Sequence, residues 1–452
     1  MRAQITAGRV PAAGLGQSPA TRQVRPGNPL HTRDLLRNAA REARARGLDR
    51  MLIVDVDAHH YESEAWPEIC AHLEDPVIRR QCQGANLSLV LPSPLGNQDV
   101  GGRITRYRLR STEPWEDEGP QRDLVIARRA MDMIGIDYQV LFPTPMLYLG
   151  LHPQPEVEVA LARAYASWLC ERVLAHEPRI RTMLYLPFCD PEASLRLVRE
   201  FADAPGVVGF MVTAVRYRCV HENDYLPLYR ELEQRGMPLG FHAGYTWQGD
   251  RRLESLNSFA SVHALGFVIH NLVHLTNWVM NGMPERFPDL KVIWIETGLA
   301  CIPFLMQRLD HEYAMRSSEA PLLRRRPSEY MREMYYTSQP LERTDDEALQ
   351  VTMRMIDAES HLLYSSDYPH WDFDLPSRIY DLPFLSEPAK RNILGETAAR
   401  LFGLPERRGD PHRAPGRASV DVMTEAADGG VMGPEPGAQA GVRREVDGES
   451  TR

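Results

Sequence analysis

The sequence lacks any apolar run that approaches the roughly 20 residues a helix needs to cross a bilayer. Residues 1–25 carry scattered arginines without a continuous apolar core, so we predict no secretory signal. The 6 cysteines are dispersed and form no C-x-x-C pair, which argues against a disulfide framework and against a cysteine zinc site. We therefore expect free thiols, no membrane partner and a cytoplasmic location.

An excess of basic charge is also missing. The 452 residues include 52 Lys and Arg against 61 Asp and Glu, for a formal net charge of −9. Proteins that bind nucleic acid or anionic lipid usually present a basic surface, so we expect neither partner. Hydrophobic residues make up 43% of the chain, which is ordinary for a globular core. These properties favour a globular protein that acts on a small molecule.

Composition divides the chain into three zones. Residues 1–49 are rich in Arg, Ala, Pro and Gly and are predicted to form a flexible extension, within which residues 33–46 can form a basic amphipathic helix. Residues 405–452 contain almost no large apolar side chains. Such a segment cannot bury enough surface to offset its ordering entropy, so we predict a disordered tail. The folded part is predicted to span residues 50–404.

Within residues 50–404, short strand-like apolar runs alternate with longer helical patterns, which is typical of parallel β/α folds. The predicted strands are 51–57, 137–142, 182–187, 207–213, 238–242, 291–296, 334–338 and 362–367. The predicted helices are 156–175, 191–201, 225–235, 259–280, 302–315, 345–358 and 388–402. Eight such units favour an α/β protein with a closed (β/α)8 TIM barrel. Residues 61–122 interrupt the alternation and are interpreted as an insertion after the first strand.

Polar residues follow the predicted strands at the end where barrel enzymes carry their chemistry. Alternation along the first strand places Asp55 on the same side as Asp57 and His59. The strand ends together supply an oxygen and nitrogen set that suits Zn²⁺, Mn²⁺ or Fe²⁺: Asp57, His59, His242, Glu296 and Asp367.

Each of these residues also has a purely structural explanation. A lone histidine at a strand end is usually a hydrogen-bonded structural group, Asp57 can cap a turn, and Asp367 can fix the turn that follows it. Taken together, an acid-x-His pair after the first strand, a His after the fifth and an Asp after the eighth are harder to explain structurally. We therefore predict one metal site formed by Asp57, His59, His242 and Asp367.

Four segments carry a family resemblance: 54–59 (VDVDAH), 240–244 (GFHAG), 284–291 (PERFPDLK) and 364–370 (YSSDYPH). In this order they resemble the amidohydrolase superfamily (amidohydrolase-related family 2). The branch they resemble includes aminocarboxymuconate-semialdehyde decarboxylase and the resorcylate-type decarboxylases. The resemblance covers about residues 50–404. It implies a distorted TIM barrel of the metal-dependent hydrolase type, a homodimer and one divalent metal, with Zn²⁺ first and Mn²⁺ or Fe²⁺ as alternatives.

The resemblance places the metal ligands on the same four residues, but two positions depart from the family pattern. The first ligand is often His or Glu in this branch, whereas it is Asp57 here. Many members carry a His-Gly pair after the sixth strand, and this sequence has Glu296-Thr297-Gly298. As a carboxylate near a metal, Glu296 can serve as acid or base, and we predict Glu296 and Asp367 as the catalytic residues. The alternative is that Glu296 only hydrogen-bonds a supporting histidine, His263 or His274.

Weaker candidates can contact the substrate, and each can equally serve in packing or in a surface ion pair. They are His60, Arg216, Arg218, Trp247 and His370. Glu62 can line the pocket or orient a ligand, and Trp371 can add a flat wall. No lysine lies within residues 207–214 of the fourth strand, which disfavours a two-metal hydrolase with a carbamylated lysine.

Three functions remain open from the sequence. The resemblance favours a carbon–carbon lyase that decarboxylates a small unsaturated or aromatic acid. Glu296 in place of the family histidine favours a hydrolase of an amide, ester or lactone, because a carboxylate is a natural base for water. The third function is a catalytically inactive barrel that acts as a binding protein, which would not need to keep four ligands.

Overall fold

The structure is a computed structural model that describes residues 32–63, 65–85, 121–213, 218–244, 255–256, 259–370 and 372–405. The predictions that concern Arg216, Trp247, Trp371, residues 86–120 of the insertion and residues 406–452 of the tail lie outside these ranges. All the other predicted site residues lie within them.

Eight parallel strands form one sheet in the order in which they occur along the chain. They are β1 (Val54–His60), β2 (Tyr138–Pro143), β3 (Ile180–Tyr185), β4 (Val207–Val212), β5 (Leu239–His242), β6 (Val292–Ile295), β7 (Tyr335–Thr337) and β8 (Leu362–Leu363). Each strand pairs with the next in parallel register, with a register shift in β1 between Asp55 and Ala58. The predicted (β/α)8 barrel is confirmed.

Helices connect successive strands. They are α1 (Thr32–Ala45), α2 (Trp66–Ala71), α3 (Pro76–Gln83), α4 (Arg122–Ile134), α5 (Pro155–Arg172), α6 (Pro191–Phe201), α7 (Leu226–Arg235), α8 (Phe259–Met280), α9 (Met283–Arg286), α10 (Cys301–Arg316), α11 (Pro327–Met331), α12 (Asp346–Met355), α13 (Ala358–His361), α14 (Ser377–Tyr380), α15 (Glu387–Arg391) and α16 (Thr397–Phe402). A π-helical turn (Asn392–Glu396) joins the last two. No helix among the described residues is long and apolar enough to span a membrane.

Local sequence explains where the helices begin and which face they bury. In α6 the carboxylate of Asp190 accepts a hydrogen bond from the N–H of Ala193 at 2.9 Å, and Pro191 occupies the first turn, where its missing N–H costs nothing. Leu197 and Phe201, four residues apart, are buried on the barrel side. This helix has the bounds predicted from its periodicity, as does α8.

The eighth strand differs from the prediction, which extended it to residue 367. Its ladder covers only Leu362 and Leu363, and it pairs with β7 alone. The barrel closes through irregular backbone instead: Val56 N–H donates to Tyr364 O at 2.9 Å, and His59 N–H donates to Tyr368 O at 2.8 Å. Within this irregular segment Asp367 adopts a positive φ, which a regular strand does not contain.

The helix predicted within residues 33–46 is α1, and its inner face is part of the core. Leu36, Ala39 and Ala43 are buried, and the guanidinium of Arg46 forms a two-pronged ion pair with the carboxylate of Asp381. Thus at least this portion of the predicted extension packs on the barrel. The exact division into extension, barrel and tail stays a prediction.

Candidate active site

Five ionisable side chains meet at one end of the barrel. They come from the C-terminal ends of three strands and from the segment that follows β8. Asp57 and His59 come from β1, His242 ends β5, Glu296 follows β6, and Asp367 follows β8. All five residues are less than 5% exposed. Ligand atoms of Asp57, His59, His242 and Glu296 lie within 4.8 Å of one another, which is the spacing that one metal ion can bridge.

Backbone carbonyls fix the tautomer of both histidines. The Nδ1 atom of His59 lies 2.9 Å from Pro143 O, and the Nδ1 atom of His242 lies 2.8 Å from Ala243 O. A carbonyl oxygen only accepts hydrogen bonds, so in each ring Nδ1 carries the hydrogen. The Nε2 atom of each neutral ring therefore presents its lone pair to the site, as a metal-binding histidine must.

The carboxylates face these lone pairs without hydrogen bonds. Asp57 Oδ1 lies 3.1 Å from His59 Nε2 and 3.3 Å from His242 Nε2, and Asp367 Oδ1 lies 3.3 Å from His59 Nε2. Despite these distances, both oxygens of each aspartate and both Nε2 atoms are buried without a hydrogen-bond partner. Buried polar atoms are rarely left unpaired, and a cation would pair all six at once. The donor set therefore fits a divalent metal ion.

Burial dominates the electrostatics of the acids. It raises the pKa of Glu296 and of Asp367 well above the ordinary carboxyl values, and the charge of neighbouring carboxylates adds to the effect. For Asp57 burial acts in the same direction, but attraction to His242 and His59 outweighs it and lowers the pKa. Glu296 and Asp367 thus lack sufficient compensating positive charge in the surrounding protein, and a bound cation would supply it.

Two of the five residues have a strained backbone. Glu296 has φ 55° and Asp367 has φ 56°, in the left-handed region that side chains other than glycine rarely adopt. Hydrogen bonds hold both in place: Glu296 N–H donates to Thr337 Oγ1 at 2.9 Å, and Asp367 N–H donates to Asp57 O at 2.7 Å. Backbone strain of this kind is often found at functional sites, where the surrounding structure holds a side chain in a required direction.

His370 lies against the site in a way the sequence did not indicate. Its Nδ1 atom is 2.6 Å from Asp367 Oδ1, and its ring stacks on that of His59 with centroids 4.2 Å apart. The two groups form an ion pair when the imidazole is protonated, although the contact lacks the geometry of a hydrogen bond. On the other side, His370 Nε2 lies 3.3 Å from Thr144 Oγ1. His370 therefore borders the ligands themselves, and with His59 and Asp367 it forms a second group that could hold a metal.

His60 and Arg218, two predicted substrate residues, have their polar groups engaged within the protein. His60 Nδ1 lies 3.1 Å from Asp123 Oδ1, and its Nε2 lies 2.8 Å from Tyr165 Oη. Arg218 Nε donates to Tyr225 Oη at 3.0 Å, and its guanidinium also pairs with Asp224. Both residues thus act in internal networks of this structure.

The histidines considered as partners of Glu296 contact other residues. His263 Nε2 lies 3.6 Å from Asp372 Oδ2, and the ring of His274 lies against that of Phe241 with centroids 5.9 Å apart. Glu296 Oε2 is instead 3.8 Å from His242 Nδ1 and has no hydrogen-bond partner. A carboxyl oxygen left free in this way remains able to exchange a proton with a substrate.

Sequence reasoning missed Asn271, which ties together the two strands that carry His242 and Glu296. Its amide Nδ2 donates to Phe241 O at 3.1 Å, to Ile295 O at 3.3 Å and to Thr297 Oγ1 at 2.7 Å. The available signal was a buried amide inside the uncharged helix α8. Thr144 was missed as well, although it follows β2 at the same end of the barrel.

The comparisons with known proteins agree with this geometry. The family model described as Amidohydrolase matches residues 54–404, more than three quarters of the chain. The chain belongs to the amidohydrolase family. The predicted superfamily is thereby confirmed, and with it a metal-dependent enzyme fold. No curated protein sequence matches the chain.

Solved structures of decarboxylases share the barrel. The 5-carboxyvanillate decarboxylase of Sphingomonas paucimobilis is 20% identical with a TM-score of 0.59, over 78% of this chain and 100% of that one. Another 5-carboxyvanillate decarboxylase, from Novosphingobium aromaticivorans with manganese and 4-hydroxy-3-methoxy-5-nitrobenzoic acid, is 21% identical with a TM-score of 0.61, over 79% and 97%. The dihydroxybenzoic acid decarboxylase of Polaromonas sp. JS666, with manganese and 2-nitroresorcinol, is 20% identical with a TM-score of 0.58, over 78% and 97%. At this identity the likeness establishes the fold.

Proposed function

We propose that this amidohydrolase is a divalent-metal-dependent decarboxylase of a small aromatic or unsaturated carboxylic acid. The observation that carries the proposal is the buried set of unpaired ligand atoms from Asp57, His59, His242 and Asp367 at the C-terminal end of the barrel. The solved structures with the same barrel include decarboxylases, two of which hold manganese with an aromatic ligand. Both the cluster and the fold thus support the same chemistry.

One metal ion would be held by the two imidazoles and the two carboxylates of this set. When bound, the ion supplies positive charge that binds and polarises an acidic substrate. Zn²⁺ is the ion predicted from the resemblance, and Mn²⁺ and Fe²⁺ are the alternatives, because a mixed nitrogen and oxygen set accepts all three. Because two solved structures with the same barrel contain manganese, Mn²⁺ is the first ion to test in a binding assay.

Glu296 is assigned as the proton donor. In decarboxylation the bond to the carboxyl carbon breaks, CO2 leaves, and the electron pair left on the substrate carbon takes up one proton. Glu296 is buried, its left-handed backbone directs its side chain beside His242, and its Oε2 atom has no competing partner. A carboxyl group in this position delivers the proton and regains one from water. Asp367, with His370 beside it, is the second group at which a proton can be held.

Hydrolysis of an amide, ester or lactone is the alternative, and the identity of Glu296 favours it. In that reaction the carboxylate of Glu296 would take a proton from the attacking water instead of giving one to carbon. A catalytically inactive binding barrel is the third possibility. The four unpaired ligand groups and the two strained residues argue against it, because a scaffold gains nothing from either.

The metal site is tested by elemental analysis of purified protein. We expect about one Zn, Mn or Fe ion per chain, the occupancy of a single four-ligand site, and almost none in a His242→Ala, Asp367→Ala double variant. A matched control replaces the exposed His311 and Asp289 by alanine and should keep its metal. Equal metal in all three proteins, or none in the wild type, would contradict the assignment and favour the scaffold.

The reaction is tested with a panel of aromatic and unsaturated acids, amides, esters and lactones. Decarboxylation predicts release of CO2 without a new acid, whereas hydrolysis predicts one equivalent of acid without CO2. In either case Glu296→Gln should lower kcat by about 100- to 10,000-fold, the usual contribution of a positioned acid or base. Metal content is measured on the same sample, because Glu296 lies within 4.8 Å of three of the proposed ligands and a lost ion would lower kcat as well. A Glu296→Gln variant with wild-type kcat would remove Glu296 from the mechanism.

A homodimer is the remaining part of the proposal, and helix α8 supports it. Its 22 residues contain no Asp, Glu, Lys or Arg, although it lies on the outside of the barrel. Leu265 and Val273 are 44% and 52% exposed, and Phe304 on the neighbouring α10 is 58% exposed. Two adjacent helices of this length cover roughly 600 Å², close to the area of about 800 Å² per partner that a stable interface buries.

A second copy of this chain is the proposed partner, since the uncharged surface of α8 can pack against its own copy without charge repulsion. Sedimentation equilibrium should show a dimer for the wild type and a monomer for Phe304→Glu. A monomeric wild type would refute the homodimer, and a dimeric Phe304→Glu variant would place its interface elsewhere.

A further inference from the structure

We propose that Asp55 and Ser366 act together as a positioning pair that holds Asp367 in the conformation needed to bind the metal. The inference rests on the proposed metal-dependent function. It assigns to Asp55 a role different from that of Asp57, although the two aspartates lie two residues apart on β1 and both are fully buried.

The carboxylate of Asp55 accepts three hydrogen bonds from the protein. Its Oδ1 atom accepts from Ser366 N–H at 2.8 Å and from Asp57 N–H at 3.3 Å, and its Oδ2 atom accepts from Ser366 Oγ–H at 2.6 Å. Asp57, by contrast, has no hydrogen bond to either oxygen. A carboxylate that already accepts three hydrogen bonds is a poor metal ligand, so Asp55 supports the site without belonging to it.

Ser366 is in turn the centre of the turn that carries Asp367. Its Oγ atom accepts from Tyr368 N–H at 3.0 Å, and its carbonyl accepts from Asp374 N–H at 2.9 Å. The residues on both sides of Asp367 are thus held through Ser366, and Ser366 is held to β1 by Asp55. Asp367 itself makes two backbone hydrogen bonds: its N–H donates to Asp57 O at 2.7 Å, and its carbonyl accepts from His370 N–H at 2.8 Å.

This arrangement explains how an unfavourable backbone conformation persists. The left-handed region is unfavourable for residues that carry a Cβ atom, because Cβ comes close to a backbone carbonyl oxygen. The ladder of β8 ends at Leu363 and cannot hold residue 367 by strand pairing. The hydrogen bonds of the Asp55–Ser366 pair replace that pairing, and they keep the carboxylate of Asp367 directed at His59.

A purely structural role predicts a different result from a positioning role. If the pair only stabilises the fold, its loss lowers stability and leaves the metal site of the folded protein intact. If the pair positions Asp367, its loss weakens metal binding by the folded protein. Loss of groups that orient a metal ligand typically weakens binding about 10- to 100-fold.

The test uses full-length protein stripped of metal and titrated with Mn²⁺, with free Mn²⁺ measured by electron paramagnetic resonance. Ser366→Ala and Asp55→Asn should each raise the dissociation constant about 10- to 100-fold. Ser194→Ala is the matched control, because Ser194 is equally buried and donates one hydrogen bond, to Pro187 O at 2.8 Å. It should bind Mn²⁺ within about twofold of wild type, below the change expected for a lost orienting group.

Two further measurements separate positioning from simple destabilisation. The double variant Asp55→Asn, Ser366→Ala should bind no more weakly than the weaker single variant, because both substitutions break the same link. The visible absorption spectrum of the Co²⁺-loaded Ser366→Ala protein should differ from that of wild type, since the geometry around the ion changes. Neither result is expected from a general loss of stability.

The outcomes are distinct for the two proposals. If the wild type binds Mn²⁺ and the folded Ser366→Ala variant has the same affinity and the same Co²⁺ spectrum, the positioning pair is overturned. The proposed function would still stand in that case. Equal weakening by Ser194→Ala, or full additivity in the double variant, would also overturn the positioning pair. A wild-type protein that binds none of these ions would refute the metal-dependent function and the positioning pair with it.

Discussion

Replacing Asp367 with asparagine should make the metal-free protein more stable and at the same time abolish its stabilisation by metal. The carboxylates of Asp57 and Asp367 both lie against the Nε2 atom of His59, at 3.1 and 3.3 Å, and both are buried without hydrogen-bond partners. Without a cation their negative charges repel each other. An asparagine keeps the shape of the side chain, removes one charge and adopts a left-handed backbone more readily than most residues that carry a side chain.

The size of the effect follows from the geometry. Two oxygens that flank one nitrogen at these distances are at most about 6.4 Å apart, and at an effective dielectric constant of about 20 their repulsion is about 3 kcal/mol. In a barrel of this size 1 kcal/mol corresponds to about 2 °C in Tm. We therefore expect Asp367→Asn to raise the Tm of the metal-free protein by about 5 °C at a pH where both carboxylates are ionised. At lower pH the raised pKa of Asp367 leaves it protonated, and the gain in Tm should be smaller.

The assay is differential scanning calorimetry in chelator and in excess Mn²⁺. Wild type should gain about 3 kcal/mol from Mn²⁺ at 100 times its dissociation constant, and Asp367→Asn should gain almost nothing. Asp357→Asn is the control, because Asp357 has a similar left-handed φ of 52° but an exposed side chain. It isolates the backbone preference of asparagine from the loss of charge. A metal-free Asp367→Asn protein no more stable than wild type, or one with an undiminished response to Mn²⁺, would refute the reasoning.

Three further predictions concern packing, charge and capping. Gly395→Ala should destabilise by about 1–3 kcal/mol in urea unfolding, since its Cβ would lie 2.2 Å from Leu52 O, whereas Gly84→Ala has ordinary contacts and should be tolerated. Burial raises the pKa of Glu62 from 4.5 to about 7. The stability that the folded protein gains from binding this proton is therefore fully present below pH 4.5 and is lost as the pH rises to about 7. Between pH 4.5 and 7 the free energy of unfolding of the wild type should fall by about 3 kcal/mol more than that of Glu62→Gln. Parallel plots of unfolding free energy against pH for the two proteins would contradict this. Asp190→Ala should cost about 1 kcal/mol by removing the cap of α6, with unchanged metal content.

Much of the fold could be predicted because hydrophobic periodicity is strong in this chain. All eight strands and the helices α6 and α8 lie where the alternation of apolar runs places them. The eighth strand was predicted four residues too long, because residues 364–367 look strand-like by position yet leave the ladder. What decides their conformation is a hydrogen bond between Ser366 and Asp55, 311 residues apart, which no local pattern can reveal.

Site residues could be predicted where their spacing along one strand, or their position at the end of a strand, brings them close to one another. Asp57, His59, His242, Glu296 and Asp367 were selected in this way, and the structure brings all five together. Residues whose role depends on tertiary partners could not be sorted by the same rule. His60 was proposed for substrate contact, but its imidazole lies between Asp123 and Tyr165, which come from two different helices.

Asp55 and Asp57 show most clearly where this limit lies. Alternation places both aspartates on one side of β1, and both are completely buried. The carboxylate of Asp55 nevertheless accepts three hydrogen bonds and that of Asp57 none. The turn after β8 presents donors to Asp55, whereas the imidazole Nε2 atoms that face Asp57 carry no hydrogen to donate. The role of each buried aspartate is therefore set by its neighbours across the barrel. Exchange of Asp57 for asparagine should accordingly remove metal, whereas the same exchange at Asp55 should only weaken its binding.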